Sequence, residues 1–231
     1  MTLAFPELST KHSSEIVPAP AAALSIPRPG GPYRRRFKRA FDVTAVLIAA
    51  PVILPMIAGL ALCVSIQGGS PFYAQERVGR DRRVFRMWKL RSMVVDADAR
   101  MEACLAADSE ARREWDETQK LKNDPRITPI GRVLRKCSLD ELPQLWNVLI
   151  GDMSLVGPRP MMTCQQALYP ATVYYEMRPG ITGYWQVSAR NESSFAARAD
   201  FDSAYDADLS LATDLRVLWR TVHTVTNGTG Y

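Results

Sequence analysis

Residues 43–66 read VTAVLIAAPVILPMIAGLALCVSI, 24 positions without one formal charge. Folded as a helix rising about 1.5 Å per residue, this run is long enough to cross the hydrocarbon core of a bilayer. Its flanks complicate that reading. Tyr33-Arg34-Arg35-Arg36-Phe37-Lys38-Arg39 precedes it, and Arg77, Arg80, Arg82, Arg83 and Arg86 follow it. Cationic flanks stay on the cytoplasmic side, and a single crossing cannot keep both there. Pro51 and Pro55 stand mid-run; each removes a backbone donor and crowds the preceding turn, so the helix is expected to kink. A helix that enters one leaflet, bends and returns would satisfy both observations. Prolines also occur in true spans, so the residues alone leave the re-entrant and spanning readings level.

Upstream, residues 1–32 are rich in Pro, Ala and Ser. Such a segment buries too little surface to order itself and is expected to be a disordered tail; it lacks the pattern of a signal peptide. Downstream, Gly68-Gly69-Ser70-Pro71 marks a turn, and the alternation within Phe72–Lys89 reads as extended chain. Asp96–Lys122 has neither Gly nor Pro and reads as one exposed amphipathic helix, stopped by Asp124-Pro125. A further helix starts at Thr128, and another at Ser138, where Ser138 and Glu141 match a capping box. Gly151–Pro160 and Arg178–Gly183 read as loops, and a last helix runs from about Leu211 to Val225 with Leu215, Leu218, Trp219 and Val222 on one face.

The chain has 231 residues, is 47% hydrophobic and carries a formal charge of +5. A basic balance suits nucleic acid, anionic lipid or phosphorylated substrates. Here the basic residues flank an apolar segment and no nucleic-acid-binding motif appears, so no nucleic-acid partner is expected. Cys63, Cys104, Cys137 and Cys164 are scattered with no CxxC pair, so neither a disulfide framework nor a zinc site is expected; Cys63, inside the apolar run, reads as packing. His12 and His223 lie far apart in the chain, which argues against a histidine-based site.

The densest cluster of reactive groups is Leu134-Arg135-Lys136-Cys137-Ser138-Leu139-Asp140-Glu141-Leu142-Pro143-Gln144. Adjacent residues on a helix point roughly 100° apart, so Asp140 and Glu141 could serve different ligands, one attacking phosphorus and the other holding a divalent metal. A helix start whose acids complement the dipole is the plain structural alternative. Cationic motifs surround the pair in sequence: Arg135-Lys136, Lys89-Leu90-Arg91-Ser92-Met93, and Gly157-Pro158-Arg159-Pro160, where flanking prolines stiffen the loop that carries Arg159. A guanidinium fork matches phosphate oxygens.

In combination these motifs resemble the bacterial sugar transferase family, the small monotopic phosphoglycosyl transferases. Lys38-Arg39-Ala40-Phe41-Asp42, Gln75-Glu76-Arg77-Val78-Gly79, Asp124-Pro125-Arg126-Ile127-Thr128 and Arg178-Pro179-Gly180-Ile181-Thr182-Gly183 complete the likeness, which runs from about Arg36 to the end. Around Glu114-Trp115 and Lys120-Leu121 the chain is most similar to exopolysaccharide galactosyl- and glucosyl-phosphate transferases. The resemblance implies a re-entrant helix, and with it a fold that is mainly α with little β. Residues 1–32 would be the tail, 33–67 the basic anchor and re-entrant membrane helix, and 68–231 a compact cytoplasmic catalytic domain with membrane-surface amphipathic helices. It implies that Asp140 attacks the β-phosphate of a UDP-sugar, releasing UMP and forming an aspartyl phosphosugar that undecaprenyl phosphate then attacks. Glu141 would bind Mg²⁺, and Lys89, Arg135 and Arg159 would bind phosphate. Gln186, Arg190 and Asn191 are candidates for uridine or sugar, with a structural loop as the alternative. The expected location is the cytoplasmic face of the bacterial inner membrane, both termini cytoplasmic, in contact with membrane lipid; a homo-oligomer is compatible with the sequence. One departure stands out: Ala50-Pro51 replaces the family's frequent Ser-Pro at the helix break. Two other functions fit the same features less well: a membrane-attached Mg²⁺-dependent phosphatase or pyrophosphatase, and a non-enzymatic membrane adaptor.

Overall fold

The computed structural model describes residues 31–118, 121, 123–188 and 195–226. A short π-helical turn at Tyr33–Phe37 leads into α1 (Lys38–Ser65), one uninterrupted helix through Pro51 and Pro55. The expected kink therefore does not appear as a break in secondary structure. Each proline removes a single hydrogen bond, and the surrounding turns keep theirs. Gly68 and Gly69, both at positive φ (83° and 73°), turn the chain into the hairpin β1 (Phe72–Val78) and β2 (Val84–Leu90).

The single helix expected over 96–122 is two: α2 (Ala97–Ala107) and α3 (Ser109–Thr118). Asp108 between them is extended, and its carboxylate accepts from the backbone N–H groups of Glu110 and Ala111 at 2.8 and 3.1 Å. An aspartate that caps the following turn competes with helix continuation. Next come α4 (Pro129–Lys136), a 3₁₀ turn at Leu139–Glu141, and α5 (Gln144–Ile150). Thr128 starts α4 as expected, its hydroxyl accepting from Gly131 N at 2.9 Å with Pro129 at the first helical position. The two segments expected to be loops each contain a short strand. β3 (Ser154–Val156) precedes α6 (Val173–Glu176) and pairs in parallel with β4 (Gly180–Thr182). α7 (Tyr184–Ser188), α8 (Arg198–Asp208) and α9 (Leu211–Thr226) complete the described chain.

Both ends of α1 pack on the rest of the chain. Near its start, the buried Asp42 accepts from Ser154 Oγ (2.7 Å) and Leu155 N (3.2 Å), and the Arg39 guanidinium caps the Val148 and Leu149 carbonyls at the end of α5. Val46 joins Phe85, Met87, Val148 and Met153. Lys38 and Tyr33 reach Asp214 on α9. Near the other end, Ala61 and Val64 pack with Leu90 and Leu134. Between these anchor points Leu47, Ile48, Val52 and Leu54 are exposed, Ile48 by 75%. Cys63 is exposed too, on the outer side of the helix and not in packing as expected; all four cysteines are free. On α9, Val217 is buried and Leu218 partly so, whereas Leu211, Leu215, Trp219 and Val222 are exposed. The apolar face read as one thus splits, with Leu218 turned to the core and Trp219 76% exposed.

Candidate functional site

The hairpin, α4 and α5 meet around the Asp140–Glu141 pair. Asn147, fully buried on α5, accepts from Trp88 N (3.0 Å) and donates to Arg86 O (2.8 Å), fixing β2 and the Lys89 it carries. Past β2, Ser92 O accepts from Thr128 N (3.2 Å), and α4 comes so close that a Cβ on Gly131 would lie 1.9 Å from that oxygen. This contact holds α4 against the segment after β2, and Leu134 on α4 packs with Leu90 at the end of β2. The expected capping box does not form: Ser138 is left-handed (φ 54°, ψ 23°) and its side chain makes no cap hydrogen bond. The sharp bend at Ser138 instead turns the acidic pair inward, and its cost, about 1–2 kcal/mol for a non-glycine residue, is borne at this one position.

Lys89 Nζ lies 2.7 Å from Glu141 Oε1 and 3.8 Å from Asp140 Oδ2, so one cation bridges both carboxylates. The two are pushed in opposite directions. Burial raises the Asp140 carboxyl above its ordinary range, with the Glu141 charge adding to it and Lys89 and Arg135 opposing. Burial acts the same way on Glu141, but Lys89, Arg159 and Arg77 together outweigh it and hold that carboxyl low. Among the described residues no group of three or more His, Cys, Asp or Glu side chains is placed to hold a metal ion, so the pair has no third ligand of these types beside it.

The Arg159 loop is stapled to the segment that follows α6. Gly157 N donates to Thr182 O and Gly180 N to Pro158 O, both at 2.8 Å. A Cβ on Gly157 would sit 2.4 Å from Arg178 O, and one on Gly183 2.1 Å from Gly157 O. The glycines of both motifs are there because two backbones touch. Arg159 and Arg198 face the ring of the buried Trp185, their guanidinium carbons 5.6 and 4.2 Å from its centroid. Arg77 Nη1 reaches Pro160 O at 3.4 Å.

Lys89 touches both carboxylates, while the charge of Arg135 acts on Asp140 and that of Arg159 on Glu141. Gln186 is buried on α7, next to Trp185. Arg190 and Asn191 lie outside the described residues. Two cations had no assigned role from sequence. Arg77 stands in the quoted Gln75–Gly79 motif, which was a usable signal; Arg198 stands in none.

Behind Arg198, the buried Asp202 accepts from Tyr169 Oη at 2.8 Å. Burial pushes its carboxyl up to about 7, against that hydrogen bond and the Arg198 charge. Unfolded, the group titrates near 3.8, so the folded state holds the proton more tightly. Its stabilising contribution is complete below pH 4 and is lost as pH rises towards 7, about 4 kcal/mol at the limit. Asp202→Asn keeps the Tyr169 acceptor and removes the titration. Its stability relative to the wild type should climb between pH 4 and 7 and then level off in thermal melts; a pH-independent difference would contradict this assignment.

A family model described as bacterial sugar transferase matches residues 33–228. A UDP-galactose-lipid carrier transferase of Erwinia amylovora is 50% identical, over 83% of this chain and 40% of that protein. An undecaprenyl-phosphate galactose phosphotransferase of Salmonella typhimurium is 45% identical with the same coverages. The chain therefore spans about two fifths of the length of these two relatives. An exopolysaccharide production protein ExoY of Rhizobium meliloti is 43% identical, over 81% of this chain and 84% of that protein. Matched by the family model from the basic anchor to the last helix, and aligned with the Rhizobium protein over most of both chains, the chain belongs to the bacterial sugar transferase family.

Proposed function

We propose that the protein transfers a sugar 1-phosphate, galactose or glucose 1-phosphate foremost, from a UDP-sugar to undecaprenyl phosphate in the first membrane step of exopolysaccharide synthesis. The observation that carries this is the adjacent carboxylate pair bridged by Lys89 and surrounded by arginines, in a chain of this family. The names of the Erwinia and Salmonella relatives, and of a UDP-glucose:undecaprenyl-phosphate glucose-1-phosphate transferase of Escherichia coli that is 33% identical, support the substrate classes.

In this reading an Asp140 carboxylate oxygen attacks the β-phosphorus of the UDP-sugar. The bond from that phosphorus to the bridging oxygen breaks, UMP leaves with the electron pair, and a covalent aspartyl phosphosugar remains. A phosphate oxygen of the lipid then attacks the same phosphorus, displacing the carboxylate and giving the lipid diphosphosugar. A desolvated, more basic carboxylate is the better nucleophile of the pair, which favours Asp140 for the attack. Lys89, Arg135 and Arg159 counter the charge that builds on the transferring group. Glu141, held ionised, is the side chain suited to Mg²⁺, which needs only one or two carboxylates when substrate phosphates supply other ligands. Bound there, the ion would neutralise diphosphate charge.

The same reading makes α1 a re-entrant helix in the cytoplasmic leaflet of the inner membrane, with both flanks cytoplasmic. What supports this is that both ends of α1 pack against one body while its middle is exposed and apolar. A helix crossing the bilayer would leave its ends on opposite sides. The row Leu211, Leu215, Trp219 and Val222, beside the exposed Arg216 and Arg220, suits α9 to the headgroup interface.

The test is UMP release from a panel of UDP-sugars by the protein in nanodiscs with Mg²⁺ and undecaprenyl phosphate. Release with one donor, accompanied by a lipid-linked sugar, is expected. Sugar phosphate appearing in water without lipid product would instead make the protein a hydrolase.

A further inference from the structure

Tyr73 stands directly opposite Lys89 in the β1–β2 ladder. Side chains alternate along a strand, so Tyr73, Gln75 and Arg77 of β1 share one face of the hairpin with Lys89. That is the face of the acidic pair: Lys89 Nζ touches both carboxylates, and the Arg77 charge acts on Glu141. Directly opposed residues start about 5 Å apart at Cβ, and tyrosine and lysine side chains have a similar reach. The Tyr73 phenol and Glu141 both bear on the Arg77 charge, which keeps the ring on the site side of the strand.

Tyr73 belongs to none of the core clusters. It is 46% exposed, and among the described residues no hydrogen-bond partner holds its hydroxyl. Tyr33, Tyr169, Tyr174, Tyr184 and Tyr205, by contrast, each donate to a protein oxygen. The other aromatic rings near the pair are occupied or turned away. Trp185 is buried and faced by Arg159 and Arg198, and Trp88 lies on the opposite face of the hairpin with Arg86. A half-open phenol offers an apolar ring face and a polar tip. A pyranose is built the same way, with C–H groups on its face and hydroxyls around its rim. Small-molecule sites pair aromatic walls with a few such polar groups.

We propose that Tyr73 is the sugar platform of the site: its ring stacks on the pyranose of the donor and its phenol bonds a sugar hydroxyl. This rests on the transferase reading for the presence of a nucleotide-sugar donor. The phosphorus that Asp140 attacks carries the sugar through a single oxygen, whereas the uracil lies a phosphate and a ribose further away. A side chain rooted beside Lys89 therefore meets the sugar before it meets the base. The first isoprene unit of the lipid phosphate is as near by the same count, but it gives the phenol no hydrogen-bond partner. UMP lacks the transferred sugar, so its binding is independent of Tyr73.

The experiment uses the full chain in nanodiscs with Mg²⁺ and measures kcat/KM for the UDP-sugar, KM for undecaprenyl phosphate, and UMP affinity by calorimetry. Tyr73→Ala should lower kcat/KM for the UDP-sugar by about tenfold or more, with UMP affinity and lipid KM within about twofold of the wild type. Tyr73→Val keeps the strand propensity and carries the same expectation, which covers an alanine variant that fails to fold. Tyr73→Phe keeps the ring and should stay within about threefold of the wild type. Weakened UMP binding would assign the ring to the uracil, and a raised lipid KM would assign it to the isoprene chain; either result overturns the proposal. Unchanged values throughout would make Tyr73 an ordinary surface residue and overturn it too. Wild-type protein that neither binds UMP nor turns over any UDP-sugar would overturn the transferase reading itself, whereas wild-type turnover matched by the alanine and valine variants overturns only the role of Tyr73.

Discussion

Asp140→Asn is expected to abolish lipid-dependent UMP release, by about 10³-fold or more, without lowering the melting temperature. Removing a covalent nucleophile leaves only the catalysis that positioning and charge provide. The stability half follows from the site. Asp140 is buried, and burial already works against its charged form, so a neutral amide of the same shape costs less to desolvate. Lys89 loses a partner at 3.8 Å but keeps Glu141 at 2.7 Å. Activity and stability should therefore separate, as they do where a residue is kept for chemistry at the expense of the fold. An Asn variant retaining more than a tenth of wild-type turnover would remove Asp140 from the covalent role.

The largest effect on stability is expected from Asp214→Ala. Asp214 is fully buried, and its carboxylate accepts from Lys38 Nζ (2.8 Å), Tyr205 Oη (2.7 Å) and Tyr33 Oη. It ties the basic anchor to α8 and α9. The Lys38 side chain is only 14% exposed, so truncating its partner leaves an ammonium with little water and takes the acceptor from the Tyr33 hydroxyl, while Tyr205 Oη keeps the Val156 carbonyl at 3.2 Å. Breaking a buried pair in this way costs about 3–5 kcal/mol. Lys38→Met in the same background removes the stranded charge and should restore part of the loss, which separates the ion pair from simple cavity formation. A loss below about 1 kcal/mol for Asp214→Ala would show that the anchor is held by its apolar contacts instead.

The sequence was most informative where local chemistry decides structure. Thr128-Pro129 starts a helix, Gly68-Gly69 makes a turn, and the long apolar run is a helix. It misled where one local signal competed with another: Asp108 caps a new helix inside a run that lacks Gly and Pro, and Ser138 has the spacing of a capping box but bends left-handed. The parallel pair β3–β4 was beyond reading, because each strand has three residues and the partners are far apart in the chain. The same limit applies to the site. Asp140, Glu141 and their basic neighbours stand in short motifs. Arg198 reaches Trp185 only through the packing of α8 on α7, and nothing at its own position in the chain announces that contact.

The central claim is the covalent step on Asp140, and isotope exchange tests it most directly. Purified protein is incubated with Mg²⁺, the UDP-sugar it uses and radiolabelled UMP, with no polyprenyl phosphate present. If the aspartyl phosphosugar forms, label moves from UMP into UDP-sugar, and Asp140→Asn moves none. An enzyme that is fully active with lipid yet exchanges no label without it would contradict the account and make the transfer a single direct displacement.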